Sequence, residues 1–144
     1  MPAWVAAGFE DYARRLPREF MLELVEIRPE PRDRGKSVAQ ILAAEARRIV
    51  SATKGWRVVA LDERGERWNT TRFAEKLRDW TSEGLAVAFV IGSADGLAES
   101  IKNDADVVLA LSALTLPHGL ARVLLAEQIY RAVSVIKGHP YHRE

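Results

Sequence analysis

The chain has 144 residues, a formal net charge of +1 and no cysteine. Its length suits a single domain spanning residues 1–144, and the lack of cysteine excludes disulfides, thiolate metal sites and cysteine nucleophiles. The small net charge gives little overall attraction to nucleic acid, so such a role must rest on local basic patches. No secretory signal is recognisable, and no apolar run reaches the roughly 18 residues of a membrane span. We therefore expect a cytoplasmic protein.

The first third of the chain alternates between helical and strand patterns. Apolar residues at helical spacing predict a helix over residues 4–16, which a proline ends, and an alternating pattern predicts a strand over residues 21–27. A loop follows at residues 28–36. The next predicted helix covers residues 38–52, with Ser37 as its N-cap. Its apolar stripe is formed by Ile41, Leu42, Ala46, Ile49 and Val50.

Buried strands and helices fill the rest of the chain. The apolar run at residues 57–61 is typical of a strand buried on both faces, and residues 62–65 are predicted to turn the chain. A helix capped by one of residues 69–71 runs to Gly84. The remaining predicted elements are a strand at 85–91, a short helix at 97–102, a strand at 107–113 and a closing helix at 120–137.

This alternation predicts an α/β fold, with a mostly parallel sheet and helices on both faces. Such a fold normally opens with a strand, whereas this chain opens with a helix. We therefore expect the first strand of the fold to be missing from the sequence, most simply because its start was assigned too late.

Ligands of open α/β sheets bind beyond the carboxyl ends of the strands. Three stretches occupy such places: Leu61 and Asp62, residues 92–96, and residues 111–118. The glycines of the second stretch let the backbone approach a ligand closely. The stretch is neither a phosphate-binding P-loop nor a dinucleotide fingerprint, which disfavours ATP and NAD.

A family resemblance rests on three segments that occur together and in order. They are IGSADGL at residues 91–97, LSALTLPHGLARVLLAEQIYRA at 111–132 and HPYHRE at 139–144. Jointly they resemble the SPOUT-class methyltransferases that methylate N3 of a pseudouridine in 23S ribosomal RNA, the ribosomal large subunit methyltransferase H family. The resemblance implies a trefoil knot in the C-terminal part, S-adenosylmethionine as cofactor, a homodimer, and no metal or membrane.

The resemblance also implies which residues contact the cofactor. They are Leu61, Gly92, Leu111, Ser112, Ala113, Leu114, Thr115 and Leu116. Where the family usually has two successive glycines, this chain has Gly92 and Ser93, and a serine does not freely adopt positive φ. Similar proteins also begin about ten residues earlier, with an apolar strand.

The three histidines and their neighbours are the candidates for chemistry. Methyl transfer is an in-line displacement, and the N3–H of pseudouridine is a weak acid that a base would help to remove. His142 is the first candidate base and His118 the alternative, although a helix cap is as good an interpretation of His118. Arg143 would stabilise charge or hold a phosphate, and Tyr141 would stack on the base or hydrogen-bond to it.

The closing helix is apolar over most of its circumference, which indicates that it is buried against the sheet and against a second surface. The second surface suggests a dimer, and the family's RNA site lies near the dimer interface. Arg122 and Arg131 on this helix are therefore candidate RNA-binding residues, whereas Glu127 is best interpreted as the partner of Arg131 in a helix salt bridge.

The basic loop at residues 28–36 is the last candidate RNA contact. Its cations Arg32, Arg34 and Lys36 are placed to reach phosphates, although a solvated linker is the simpler interpretation. The leading hypothesis is thus an S-adenosylmethionine-dependent methyltransferase of 23S ribosomal RNA. The alternative is a dimer of the same fold that binds RNA or the ribosome without catalysing a reaction.

Overall fold

From residue 38 onward, helices and strands alternate as the sequence predicts. The computed structural model describes residues 1–33 and 35–143. The helices are α1 (Ala3–Ala13), α2 (Val38–Ala52), α3 (Thr70–Ser82), α4 (Glu99–Asp104) and α5 (His118–Lys137). The strands are β1 (Arg57–Arg67), β2 (Val87–Val90) and β3 (Val107–Ala110). Short 3₁₀ turns lie at Arg18–Phe20 and Pro140–Arg143.

The three strands form one parallel sheet in which β1 lies between β2 and β3. Successive side chains of a strand point to opposite faces. Val59 accordingly packs with residues of α3 and α5, and Ala60 packs with residues of α2 and α4. Both residues are fully buried. The predicted α/β fold with a parallel sheet and helices on both faces is confirmed, while the trefoil knot stays a prediction.

Local capping explains where three of the helices begin or end. The Ser37 hydroxyl accepts from the backbone N–H of Gln40, whose side chain in turn accepts from the N–H of Ser37. This reciprocal pair is a capping box. Asn69 caps α3 with a single bond, because its side-chain oxygen accepts from the backbone N–H of Arg72. Gly138 ends α5 in the left-handed conformation, at φ +70°.

The strand predicted over residues 21–27 is wrong, because this segment belongs to no strand or helix of the described structure. Leu22 and Ile27 pack against the two cores, whereas Met21 and Val25 are exposed. Alternating apolar residues give a strand one face to bury, but a strand also needs a neighbouring strand to accept and donate its backbone hydrogen bonds. No described strand pairs with this segment.

The turn predicted at residues 62–65 is also wrong, since β1 continues to Arg67. Leu61 and Glu66 are both in register with Leu109 of β3, so the four residues between them bulge from the ladder. Pairing resumes because Gly65 lies directly against the β3 backbone, where a Cβ would be 2.6 Å from the carbonyl oxygen of Val108.

Helix α5 is covered on two sides within the chain itself. α3 packs against it on the sheet side, and α1 packs along its other side. Eight residues of α5 are buried, and in α1 Val5 and Phe9 are buried as well. The second surface that the sequence predicts for α5 is therefore supplied by α1, so the apolar circumference of this helix does not by itself require a second copy.

Candidate active site

A cleft of about 400 Å³ opens where the three strands end. It is lined by residues 61–64 after the first half of β1, by residues 91–97 after β2, and by residues 111, 112 and 114–116 after β3. The structure thus brings together seven of the eight residues predicted to bind the cofactor. Ala113 is the exception, because it is exposed and does not line the cleft.

The loop after β2 folds tightly on itself. A Cβ on Gly92 would lie 2.5 Å from the carbonyl carbon of Gly96, a distance that real side chains do not tolerate. The N–H of Gly96 donates to the carbonyl oxygen of Ser93 at 2.9 Å. Ser93 itself does not have positive φ, nor does any other non-glycine residue that the structure describes. A serine therefore fits this loop without backbone strain.

His118 is the first residue of α5 and joins this helix to the loop after β2. Its Nδ1 lies 2.7 Å from the carbonyl oxygen of Gly92, and its Nε2 lies 3.1 Å from Nη2 of Arg122. A carbonyl accepts and a guanidinium donates, so Nδ1 carries the proton and Nε2 uses its lone pair. Both ring nitrogens are thus engaged, and neither is free to accept a proton from a substrate.

Arg122 is a buried cation whose partners lie within the chain. Its side chain is 8% exposed, and Nη1 lies 3.2 Å from the carboxylate of Glu26. Its Nε is buried and has no hydrogen-bond partner within residues 1–33 and 35–143. Arg122 therefore orients His118 and anchors the segment around Glu26, and in the single chain its guanidinium is not open to a phosphate.

The segment after β3 is tied to the segment that bulges from β1. The Thr115 hydroxyl donates to the carboxylate of Glu63, and the N–H of Leu114 donates to Ser112 Oγ at 2.9 Å. The Leu114 side chain is exposed beside the cleft. These contacts hold an irregular backbone in place at the mouth of the cleft.

A partly buried ion pair belongs to the lining of the cleft. Lys102 Nζ is 3.0 Å from Asp62 Oδ2, and both side chains are 18% exposed. Burial alone would raise the pKa of Asp62, but hydrogen bonds from the N–H of Arg64 and from Lys102 outweigh it and hold the pKa below its ordinary value. Hydrogen bonds to Asp62 and to Glu99 raise the pKa of Lys102, so the pair stays ionised at neutral pH.

The C-terminal residues form a separate cluster on α5. The Tyr141 hydroxyl donates to Glu127 at 2.8 Å, and Arg131 reaches the same carboxylate oxygen at 2.7 Å. The Tyr141 ring lies 4.7 Å from that of Tyr130, measured between centroids. Burial, followed by the hydrogen bond to Glu127, raises the pKa of Tyr141, so its hydroxyl keeps its proton and acts as a donor. The predicted salt bridge between Glu127 and Arg131 is confirmed.

This cluster does not reach the cleft of its own chain. Tyr141, His142 and Arg143 are absent from the cleft lining. Glu127, which holds Tyr141, is nine residues beyond His118 in α5, a separation of about 14 Å along the helix axis. Nδ1 of His142 is buried and has no hydrogen-bond partner among the described residues. Within one chain, the residues predicted to bind the cofactor are therefore apart from the residues predicted to act on the RNA base.

Comparison with known proteins identifies the family. The protein-family model described as "Predicted SPOUT methyltransferase" matches residues 1–142 of the chain. The chain belongs to the SPOUT methyltransferase family. It is 58% identical to the ribosomal RNA large subunit methyltransferase H of Nitrosospira multiformis over 144 residues, which cover 99% of this chain and 92% of that protein. The proteins of the same name from Burkholderia multivorans and Burkholderia ambifaria are each 54% identical, with the same coverage.

The basic loop of this SPOUT methyltransferase is held by acids. Arg32 contacts Asp95 at 2.9 Å and Glu45 at 3.4 Å, and Lys36 contacts Glu30 at 3.3 Å. Arg34, the third cation predicted to bind RNA, lies outside the described residues. The loop is thus not the freely solvated linker that its composition favours, because Arg32 joins it to the loop after β2.

Two residues matter in the cleft and beside it, although the sequence patterns do not predict their roles. Lys102 belongs to the short helix α4, and Glu45 lies within the apolar stripe of α2. Glu45 is 6% exposed. It stands four residues after Ile41 and four before Ile49, so a carboxylate within the buried stripe was the pattern that pointed to it.

Two further findings concern only residues 1–33 and 35–143. No helix there is long and apolar enough to cross a membrane. No group of three or more histidine or acidic side chains in that part of the chain is arranged to hold a metal ion.

Proposed function

We propose that this protein transfers a methyl group from S-adenosylmethionine to N3 of a pseudouridine in 23S ribosomal RNA, and that it acts as a homodimer. The observation that carries the proposal is the cleft, where the residues predicted to contact the cofactor come together at the ends of three parallel strands. The names of the curated relatives support ribosomal RNA as the substrate.

The residues of the cleft fit S-adenosylmethionine. The cofactor has a sulfonium and an ammonium group against one carboxylate, and the charged lining residues are three acids and two cations: Asp62, Glu63, Asp95, Arg64 and Lys102. Apolar side chains and backbone groups of residues 91–97 and 111–116 supply the surface for a flat adenine ring. Within residues 91–97, Gly92 packs so closely against the backbone of Gly96 that a side chain at residue 92 would have no room.

When bound, the cofactor supplies an electrophilic methyl group, and the chain has to place it in line with N3 of the target base. His118 serves this placement, because it fastens the loop after β2 to α5 through the carbonyl of Gly92. The roles that remain are removal of the N3 proton and stabilisation of the ring anion.

We assign the proton to His142 rather than to His118. Both nitrogens of His118 are engaged, whereas Nδ1 of His142, which is buried in the single chain, has no hydrogen-bond partner among the residues that the structure describes. Arg143 supplies a cation for the ring anion or a phosphate, and Tyr141 offers a ring for stacking and a protonated hydroxyl.

A second copy of the chain is needed to join these groups to the cleft. The tail lies about 14 Å along α5 from His118, too far for direct contact with a base beside the cofactor. In a homodimer, the tail of one protomer completes the cleft of its partner.

One experiment tests both the cofactor site and the proposal that the tail of one protomer completes the cleft of its partner. One variant lacks residues 139–144, and the other is Gly92→Ala, which blocks the cleft. We expect each to be inactive on ribosomal RNA alone, and a refolded mixture of the two to regain activity, because mixed dimers contain one intact cleft with one intact tail. The regained activity should reach roughly a quarter of the wild-type value when half of the dimers are mixed and each has one complete site of two.

Two results would contradict the proposal. A mixture that stays inactive, although mass spectrometry finds mixed dimers, would mean that tail and cleft act within one chain. Well-folded protein that binds no S-adenosylmethionine in calorimetry would instead favour the alternative, a dimer that binds RNA or the ribosome without catalysis.

A further inference from the structure

Glu45 places a carboxylate directly behind the loop that follows β2. Its Oε1 accepts from the Ser93 hydroxyl at 2.9 Å, and its Oε2 accepts from the backbone N–H of Glu30 at 3.0 Å. Arg32 approaches Oε2 at 3.4 Å. One buried carboxylate of α2 is thus bonded at once to the cleft loop and to the basic loop.

Arg32 closes this arrangement from the solvent side. Its Nη2 donates to Ser93 Oγ at 3.2 Å and to Asp95 Oδ2 at 2.9 Å. Two residues of the cleft loop, Ser93 and Asp95, are therefore held by side chains from outside the loop. A turn that short has few contacts of its own, so its position depends on such external partners.

The burial of Glu45 makes the arrangement sensitive to change. A buried carboxylate is stable only with hydrogen bonds and a counter-charge, which here come from Ser93, Glu30 and Arg32. Charge-assisted hydrogen bonds are also stronger than neutral ones. Replacing the carboxylate by a neutral amide of the same shape therefore weakens the contacts to the cleft loop without creating a cavity.

We propose that Glu45 is a positioning residue of this methyltransferase, which fixes the cofactor-binding loop at residues 92–96 through Ser93 and couples it to the basic loop through Arg32. This proposal rests on the proposed function of the cleft. It also assigns a use to Ser93, because the hydroxyl that distinguishes this residue from a glycine is the group that Glu45 binds.

The test is the variant Glu45→Gln, assayed for methyl transfer with varied S-adenosylmethionine and varied RNA. We expect KM and the calorimetric Kd for the cofactor to rise roughly tenfold, as for the loss of one charge-assisted hydrogen bond, with kcat at saturating cofactor within about twofold of wild type. Ser93→Ala should give a similar rise, and the double variant should be no worse than the poorer single one. The matched control is Glu75→Gln on α3, which is half exposed and remote from the cleft.

A purely structural role gives a different result, namely a lower unfolding temperature and a smaller active fraction, with KM for the cofactor unchanged. That outcome in well-folded protein, or fully additive effects of the two substitutions, would overturn the proposal. Glu45→Asp, which keeps the charge, offers a second variant should Glu45→Gln fold poorly.

Hydrogen exchange separates this proposal from the proposed function. The Gly96 amide donates within the cleft loop, and we expect Glu45→Gln to exchange it roughly tenfold faster while the amides of α3 stay unchanged. If the wild-type protein bound no S-adenosylmethionine, the proposed function would fail, yet faster exchange would still support the positioning by Glu45. If the exchange rate of the Gly96 amide were the same in Glu45→Gln as in the wild type, the positioning role of Glu45 would be contradicted.

Discussion

The cleft and the C-terminal cluster are built in opposite ways. The cleft is made largely of backbone at the ends of three strands, with Gly92 packed against Gly96 and His118 bonded to a carbonyl. The cluster is made of side chains, in which Tyr141, Glu127 and Arg131 contact one another on one helix.

Because of this difference, a single chain forms the whole cleft but does not bring the C-terminal cluster to it. A site made of strand ends forms as soon as the sheet forms, because the parallel strands bring their carboxyl ends to one edge. A tail on a helix surface has no such constraint, and under the proposed homodimer it would lie closer to the cleft of the partner than to the cleft of its own chain. We therefore expect substitutions in the cleft to affect cofactor binding, and substitutions in the tail to affect methyl transfer.

The largest effect is expected for Gly92→Ala. The added Cβ would lie 2.5 Å from backbone atoms of Gly96, so the loop has to move, and cofactor affinity should fall at least about a hundredfold in calorimetry. Gly84→Ala is the control, because it introduces a side chain at φ +70° in open space far from the cleft. It should lower the free energy of unfolding by about 1 kcal/mol and leave cofactor binding unchanged. A tightly binding Gly92→Ala protein would remove the basis for a backbone-built site.

A smaller effect is expected for His118→Gln. This change disturbs the hydrogen bond to the Gly92 carbonyl and the contact with Arg122, so cofactor affinity should fall roughly tenfold. Because His118 is not the base in our assignment, the pH dependence of kcat should keep its wild-type shape. His142→Gln should behave in the opposite way, with unchanged cofactor affinity and a lower kcat at saturating cofactor. The reverse pattern would exchange the roles of the two histidines.

The smallest effect is expected for Tyr141→Phe. The variant loses the hydrogen bond to Glu127 and retains the ring contacts with Tyr130 and Arg131, so the free energy of unfolding should fall by about 1 kcal/mol. Cofactor affinity should not change, which denaturant unfolding and calorimetry together would verify. Tyr130→Phe is the matched control, since it keeps the neighbouring ring. A weaker cofactor affinity in Tyr141→Phe would contradict the separation of tail and cleft.

Much of the fold could be predicted from the sequence where local and long-range preferences agree. Ser37 and Asn69 are bonded to nearby N–H groups, so their capping depends on a few consecutive residues. Residues 58–61 are all apolar, and a strand with helices on both faces requires that pattern. The strand predicted over residues 21–27 does not form. An alternating pattern is a property of the segment alone, whereas a strand also needs hydrogen bonds to a neighbouring strand, and no described strand supplies them.

The candidate site divides along the same line. The sequence pointed to the strand ends at Leu61, Gly92 and Leu111, because parallel topology alone brings them together. It did not reveal that Glu45 is bonded to Ser93, since 48 residues separate the two in the chain. Arg32 was interpreted as a phosphate ligand, and only its position beside Glu45 and Asp95 showed the acids that hold it.

By itself, the sequence determined the family, the alternation of helices and strands and the edge of the sheet at which the residues predicted to bind the cofactor gather. These properties depend on short motifs and on periodicity, which act over a few residues. The tertiary structure alone decided that His118 uses both ring nitrogens, that Arg122 is buried and that the Tyr141 hydroxyl is bonded to Glu127, about 14 Å along α5 from His118. Each of these depends on which distant groups the packed core brings within hydrogen-bonding distance, and the order of residues along the chain does not fix that.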